Sequence, residues 1–289
     1  MRAEIIAIGS ELLTPFKQDT NSLFLTEKLN GLGVPVAFKV VVGDDRNDLT
    51  AAVRAAAQRS DIVITMGGLG PTEDDLTREC VAAALDIGLH ADPQIITELY
   101  KRFAARRIAM PENNARQADV LEGAQVLPNS RGSAPGQYVV RSVNGKKRMV
   151  ALLPGPPSEL KPMFDAQLLP VLRDFVPPDH FARRMLRLAM IPESQADAIA
   201  APIYTKRSDV QTTILASAGE VQFHLLASGA STAEAQAKVD SLADELDAAF
   251  GLTVFSTEGE PLEEIVGLHL GMRGLTLAIA ESCTGGMLG

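Results

Sequence analysis

The sequence predicts an α/β layered domain on a mostly parallel sheet, followed by a small α+β domain and a third, shorter segment. Three observations carry this. Short apolar runs, Ile5 to Ile8, Val34 to Val42 and Ile62 to Ile64, alternate with stretches of helical apolar spacing, an order that implies right-handed parallel crossovers. After Pro177-Pro178 the order changes to strand, helix, strand, strand, helix. Each of the first three runs ends in glycine with acids, at Gly9-Ser10-Glu11, Gly43-Asp44-Asp45 and Gly67-Gly68-Leu69-Gly70 with Asp74 and Asp75. Ligands of such sheets bind beyond the carboxyl ends of the strands, so these acidic ends are expected to converge at one edge.

Ile5 to Ile8 reads as the first buried strand. Thr20 or Asn21 is placed to cap a helix with Leu25, Leu29 and Leu32 on its apolar face, stopped by Gly33. A second strand over Val34 to Val42 follows, then a helix capped by Asn47 with Leu49, Val53, Ala56 and Ala57 on one side. The third strand turns through Gly67, Gly68 and Gly70 into a helix bearing Leu76, Cys80, Ala83 and Ala84. A helical pattern from Asp92 to Ala118 breaks at Pro111. Gln137 to Val143 and Arg148 to Leu153 then form a hairpin about Asn144-Gly145. Leu153-Pro-Gly-Pro-Pro157 leads to a helix through Leu160, Met163 and Phe164 that closes the domain near Pro170.

The second domain is expected as strand 184 to 190, helix 193 to 204, strands 211 to 215 and 221 to 226, and helix 232 to 250. From Asp179 to Phe250 there are six Lys/Arg against ten Asp/Glu, with neither a G-x-x-G clamp nor stacking aromatics, so a spacer or dimerisation role is favoured over RNA binding. The last segment is read as an amphipathic helix over 261 to 272 and an apolar strand, Leu275 to Ala280, that opens into Glu281-Ser-Cys-Thr-Gly-Gly286.

A formal charge of -9 argues against binding nucleic acid or an anionic membrane through overall basicity. Cys80 and Cys283 are the only cysteines and lie far apart, which indicates neither a disulfide framework nor a zinc site. With no run of membrane-spanning length and a start that turns directly into a strand, a cytoplasmic protein is expected. His90, His180, His224 and His269 stand singly, so chemistry would rest on carboxylates and metal.

The stretch 61 to 77 carries the strongest chemical signal. Gly67, Gly68 and Gly70 lack a Cβ and let backbone amides approach an anion closely. Glu73, Asp74 and Asp75 crowd the same turn, and carboxylates tolerate a phosphate there only across a hard cation. The alternative is structural: Thr72 with Asp75 approximates a capping box, and acids in a first helical turn need no chemistry. On the functional reading Gly67, Gly68 and Gly70 hold one phosphate, while Asp44 and Asp75, with Glu11, hold a divalent cation that supplies the attacking water. Asn21 and Asn129 would orient sugar or phosphate oxygens, with Arg131 or Lys161 assisting electrostatically. A binding protein that holds a pterin or nucleotide phosphate without hydrolysing it shares the glycine loop and remains the alternative.

In order along the chain, Gly9-Ser-Glu-Leu-Leu13, Asp19-Thr-Asn21, Val42-Gly-Asp-Asp45, Gly67-Gly-Leu-Gly-Pro-Thr-Glu-Asp-Asp75, Gly132-Ser-Ala-Pro-Gly136 and Leu153-Pro-Gly-Pro-Pro157 resemble the amino-terminal domain of the competence/damage-inducible protein A (CinA) family. The resemblance implies a three-layer molybdopterin-binding-like domain at 1–172, a KH-like linker or dimerisation domain at 173–253, and at 254–289 the start of a nicotinamide mononucleotide amidohydrolase domain. It further implies a metal-dependent pyrophosphatase splitting ADP-ribose into AMP and ribose 5-phosphate. The implied cofactors are a divalent metal (Mg, Mn or Co) and a monovalent cation. A homodimer acting on a small-molecule nucleotide, with no nucleic-acid and no membrane partner, is also implied. Matching positions extend the substrate-binding set to Thr72, Gly136 and Gly155, and put Ser282 at the place of the amidohydrolase nucleophile. With only the opening of that domain in the sequence, no deamidase activity is expected; ammonia release from nicotinamide mononucleotide would contradict this. Leu13-Thr-Pro-Phe-Lys-Gln-Asp19 departs from the family by lacking a glycine.

Overall fold

The structure, a computed structural model, describes residues 1–177, 180–283 and 285–286. It divides into two units, 1–178 and 179–289. The first unit runs β1 (Ala3–Ile8), α1 (Asn21–Gly31), β2 (Val36–Val42), α2 (Arg46–Arg59), β3 (Ile62–Met66), α3 (Thr77–Leu85), β4 (Leu89–Ala91), α4 (Pro93–Ala105), β5 (Asp119–Leu121), β6 (Gln125–Leu127), β7 (Gly136–Val143), β8 (Lys146–Leu153), α5 (Pro157–Met163) and α6 (Leu169–Phe175). Its main sheet has the order β2-β1-β3-β8-β7-β6. The first four of these are mutually parallel, and β7 runs antiparallel to both its neighbours, β8 and β6.

Both faces of the central strands are apolar, as a parallel sheet covered on two sides requires. Ala3, Ile5 and Ala7 of β1 pack with Leu25 and Leu29 of α1 and with Leu160, Phe164 and Leu172 of the α5–α6 region. Ile6 and Ile8 point the other way, onto Leu49 and Val53 of α2 and Cys80 and Val81 of α3. The result is three layers, helices on either side of the sheet. Asn144 and Gly145 take the positive φ values, 51° and 74°, that a two-residue hairpin turn needs.

Several local expectations are corrected. The α1 start is held by Asp19, which accepts from Ser22 N at 3.0 Å, while Thr20 makes no side-chain cap. Asp45, not Asn47, caps α2, accepting from Asn47 N and Asp48 N at 2.8 and 3.0 Å. A carboxylate two or three residues before the exposed amides reaches them more readily than a side chain already inside the helix. β4 and β5 pair as a small separate sheet, and three-residue strands leave no periodic signal in sequence. The closing helix continues past Pro170 to Phe175 through a wide π turn at Phe164–Leu168.

The second unit contains β9 (His180–Ala189), α7 (Glu193–Tyr204), β10 (Val210–Ser217), β11 (Glu220–Gly229), α8 (Thr232–Phe250), β12 (Val254–Ser256) and α9 (Leu262–Met272). The sheet order is β10-β11-β9-β12, so residues 254–256, expected in the third segment, belong to this sheet. Ser231 and Glu234 make a reciprocal cap at α8, with Glu234 N to Ser231 Oγ at 3.1 Å and Ala230 N to Glu234 Oε2 at 2.9 Å. The strand expected at 275–280 is not formed. Leu275, Leu277 and Ile279 lie exposed, and without a neighbouring strand the backbone groups gain nothing from extending.

At the amino-terminal edge of the main sheet, Glu4 is fully buried and receives Arg59 Nη2 and Nε at 2.6 and 3.0 Å and Ser60 Oγ at 3.1 Å. This holds the end of α2 against β1. Glu4→Ala is expected to cost about 2 kcal/mol, the scale of a hydrogen bond to a charged group. Urea unfolding measures it, and an unchanged midpoint would show the contact to be inert.

Candidate functional site

The registers of the four parallel strands bring their carboxyl ends level. Ile8 pairs with Val42, Ala7 with Met66, and Met66 with Leu153. The next residues are therefore neighbours: Gly9 after β1, Gly43 and Asp44 after β2, Gly67 after β3, and Pro154 and Gly155 after β8. The chain leaves β1 toward β2 on one side and returns to β3 on the other, so a crevice must open where the connections diverge. A cleft of about 700 Å³ lies there.

Of the residues proposed from sequence, Glu11, Asn21, Asp44, Gly67, Gly68, Gly70, Asp75 and Gly155 all line this cleft, joined by Asp74. Asp44 and Asp75, from separate crossovers, face the same cavity. Gly67 and Gly68 have φ of 101° and 64°, and a Cβ on them would strike the Ile8 carbonyl and the Thr77 hydroxyl respectively. Gly155 approaches so closely that a Cβ would stand 3.4 Å from Gly67 Cα.

Gly67 does not present its own amide, because that group donates to Leu153 O at 3.0 Å. Its neighbours take that part: the amides of Gly68, Leu69 and Gly70 make no hydrogen bond among the described residues. The loop is fixed from below, since Thr77 Oγ1 donates to Gly67 O at 2.8 Å and Arg78 Nη2 to Leu69 O at 3.0 Å. Burial pushes the Arg78 guanidinium down to about 10, with Glu79, Asp119 and Asp75 opposing that shift. A cation thus lies under the open amides, a feature hidden in sequence because Arg78 occupies an ordinary helical position.

The acids are not helix caps. α3 begins at Thr77, and the acid of its first turn is Glu79. Thr72 serves the loop instead of lining the cleft: its amide donates to Asp75 Oδ2 at 2.9 Å and its hydroxyl bonds the same oxygen. Arg116 braces this turn, donating to Thr72 O at 3.0 Å while paired with Glu79 at 2.8 Å. Asp44 Oδ2 accepts from Ser10 N at 2.8 Å, and Asp44 N donates to Ser10 Oγ at 3.1 Å, which ties the β1 and β2 loops together. Asp44 Oδ1, Asp75 Oδ1 and both Glu11 side-chain oxygens accept no hydrogen bond among the described residues.

Besides Thr72, two assigned substrate-binding residues, Asn129 and Gly136, stand away from the cleft. Asn129 commits its whole side-chain amide to packing, donating to Ala134 O of its own loop and Glu159 Oε2 of α5 at 2.8 and 2.7 Å and accepting from Arg131 N and Gly132 N at 3.0 and 2.8 Å. It shapes the turn that carries Ser133 and Ala134 to the cleft wall. Gly136 opens β7 where a Cβ would meet Leu152 O at 2.8 Å, a packing requirement. Arg131 and Lys161 do not line the cleft either; Lys161 Nζ lies 5.3 Å from the Phe24 ring centroid. In the second unit Ser282 lies in an exposed bend, its Oγ 3.7 Å from Cys283 Sγ.

Carboxylate oxygens are the hard donors that Mg²⁺ or Mn²⁺ prefers. Mg²⁺ sites that use one or two carboxylates together with substrate phosphates need no larger protein set, and Asp44 Oδ1 and Asp75 Oδ1 supply that number. Among the described residues no group of three or more His, Cys, Asp or Glu is placed to hold a metal unaided.

Comparison with known proteins agrees with this anatomy. Residues 4–174 match the family model described as "Probable molybdopterin binding domain", and residues 183–256 match "Damage-inducible protein CinA KH domain". The chain is 56% identical over 288 residues to a CinA-like protein of Koribacter versatilis, covering 100% of this chain and 70% of the relative. The chain belongs to the CinA-like family. A CinA-like protein of Solibacter usitatus is 49% identical over 289 residues, covering 100% of this chain and 68% of the relative. Among solved structures, a CinA protein of unknown function from Thermoplasma acidophilum is 30% identical, with a TM-score of 0.53, covering 61% of this chain and 98% of that one. As expected, a molybdopterin-binding-like α/β domain is combined with a small α+β domain of the CinA KH family. No helix among the described residues is long and apolar enough to cross a membrane.

The glycine geometry of this CinA-like chain makes a direct prediction. Gly68→Ala is expected to destabilise the first unit by more than about 1 kcal/mol, because the left-handed backbone and the Thr77 contact both resist a Cβ. Thermal unfolding checks it. An unchanged midpoint would mean that the loop can rearrange freely.

Proposed function

We propose that the first unit hydrolyses the diphosphate bond of ADP-ribose, giving AMP and ribose 5-phosphate. The observation that carries this reading is the meeting, in one cleft, of unpaired backbone amides with carboxylates from separate crossovers. Amides alone would suit any phosphate. Acids beside them repel an anion unless a cation intervenes, and that pairing is characteristic of hydrolytic diphosphate chemistry rather than simple retention.

In this reading the amides of Gly68, Leu69 and Gly70 donate to oxygens of one phosphate, and buried Arg78 supports them with positive potential from beneath. Asp44 and Asp75 would hold a divalent metal, Mg, Mn or Co, and Glu11 lines the same cleft. When bound, such an ion offsets charge on the diphosphate and brings a coordinated water toward ionisation near neutral pH. Ser10 and Thr72 each fix one oxygen of Asp44 and Asp75, leaving the other oxygen available to a ligand. Asn21, whose Nδ2 donates to Gly155 O at 2.7 Å, holds the β8 loop against the start of α1 and so sets the width of the cleft. The description of the matched family as molybdopterin-binding favours a second reading, retention of a pterin or nucleotide phosphate without cleavage.

AMP release from ADP-ribose, assayed with EDTA and with added Mg²⁺, Mn²⁺ or Co²⁺, separates the two. Metal-dependent release is expected; tight binding with no release under any of these ions would favour retention. Asp75→Asn and Asp44→Asn should each lower kcat by at least about a hundredfold, the scale of one lost charge-stabilising group, with the circular dichroism spectrum unchanged. Full turnover in either variant would remove that residue from the assignment.

A further inference from the structure

The charge balance of the cleft leaves one residue unexplained. Glu11, Asp19, Asp44, Asp74, Asp75 and Glu159 all line it, and Lys17 is the one basic side chain among the described lining residues. An ammonium beside so many carboxylates would be expected to pair with one of them. Lys17 makes no ion pair and no side-chain hydrogen bond among the described residues, so its charge is uncommitted. It sits on the segment between β1 and α1, anchored on both sides. Thr14 Oγ1 donates to Glu11 O at 2.7 Å before it, and Asp19 is fixed by Ser22 N at 3.0 Å after it. Between the anchors Lys17 occupies the wall of the cleft, on the side formed by β1 and α1, while the glycine amides belong to the loop after β3.

A diphosphate ester brings at least two negative charges, and the glycine loop supplies only neutral dipoles at its surface. A flexible four-carbon stem carrying a point charge suits an oxyanion whose position shifts between binding and release. We propose that Lys17 pairs directly with a phosphate of the bound nucleotide, as a binding contact that does not pass through a metal. This rests on the phosphate-ligand reading of the cleft, though not on hydrolysis itself.

The chain contains no tryptophan, and Phe16, beside Lys17, is 93% exposed, so Phe16→Trp gives a single tryptophan at this loop, excited selectively over the tyrosines, with little risk to packing. AMP and adenosine, which differ by the phosphate, are titrated in EDTA against F16W, F16W/K17M and F16W/K17R, with calorimetry on the parent chain as a check. The expected result is that K17M weakens AMP at least tenfold and leaves adenosine unchanged, while K17R recovers most of the loss. The proposal is overturned if AMP does not bind the parent chain, if K17M leaves AMP affinity within twofold, or if both ligands weaken alike. Should ADP-ribose stay intact while AMP binding depends on Lys17, the hydrolase reading fails and this one stands. ADP-ribose cleavage by K17M with an unchanged KM would instead sink the Lys17 contact and leave the hydrolase reading in place.

Discussion

The approach of Gly67 to the Ile8 carbonyl is the constraint on which the shape of the first unit's cleft depends. A loop can cross a neighbouring strand end this closely only where there is no side chain and the backbone can take a φ of 101°. That crossing lays the segment after β3 flat over the end of β1, so that the next three amides are left without internal partners. The same contact places Gly155 against Gly67 from the β8 side. The cleft is therefore a product of strand register and missing Cβ atoms, with no specialised insertion required.

Acids at this edge would be a liability in a purely structural setting. Asp44 and Asp75 are instead each fixed through one oxygen by a neighbouring backbone amide, that of Ser10 and that of Thr72, and the turn bearing Asp75 is braced by Arg116. Groups positioned in this way lose little freedom on meeting a ligand. Arg78 illustrates a different solution: a guanidinium taken out of water, with its ordinary affinity for protons reduced by burial, yet retained where it can act on the loop above. The arrangement keeps positive potential fixed beneath the loop and leaves ligand contact to more exposed groups.

Much of this is legible in the residues. Glycine followed by acid at the end of each apolar run locates Gly9, Asp44 and Gly67 at one edge, because parallel crossovers leave no other outcome. The hairpin at Asn144-Gly145 and the helix from Thr232 to Phe250 are equally plain, each written in local turn or capping chemistry. What the sequence conceals depends on contacts between distant positions. Nothing near Asn129 reveals that its amide is consumed by Ala134 and Glu159, and nothing near Gly67 shows that Leu153 takes its amide. β12 can be recognised only once β9 is there to receive it. Lys17 and Arg78 carry no motif; their significance comes from what surrounds them.

The buried Glu4 cluster and the cleft occupy opposite ends of the same strand, since Glu4 and Ile8 are separated along β1 by most of its length. A buried charge cluster tightens one pole of the strand, and ligand access lies at the other. Such polarity lets exposed rim side chains other than the loop glycines change without touching the Glu4 cluster, and it allows that end of the scaffold to be hardened for use at higher temperature without retuning the chemistry.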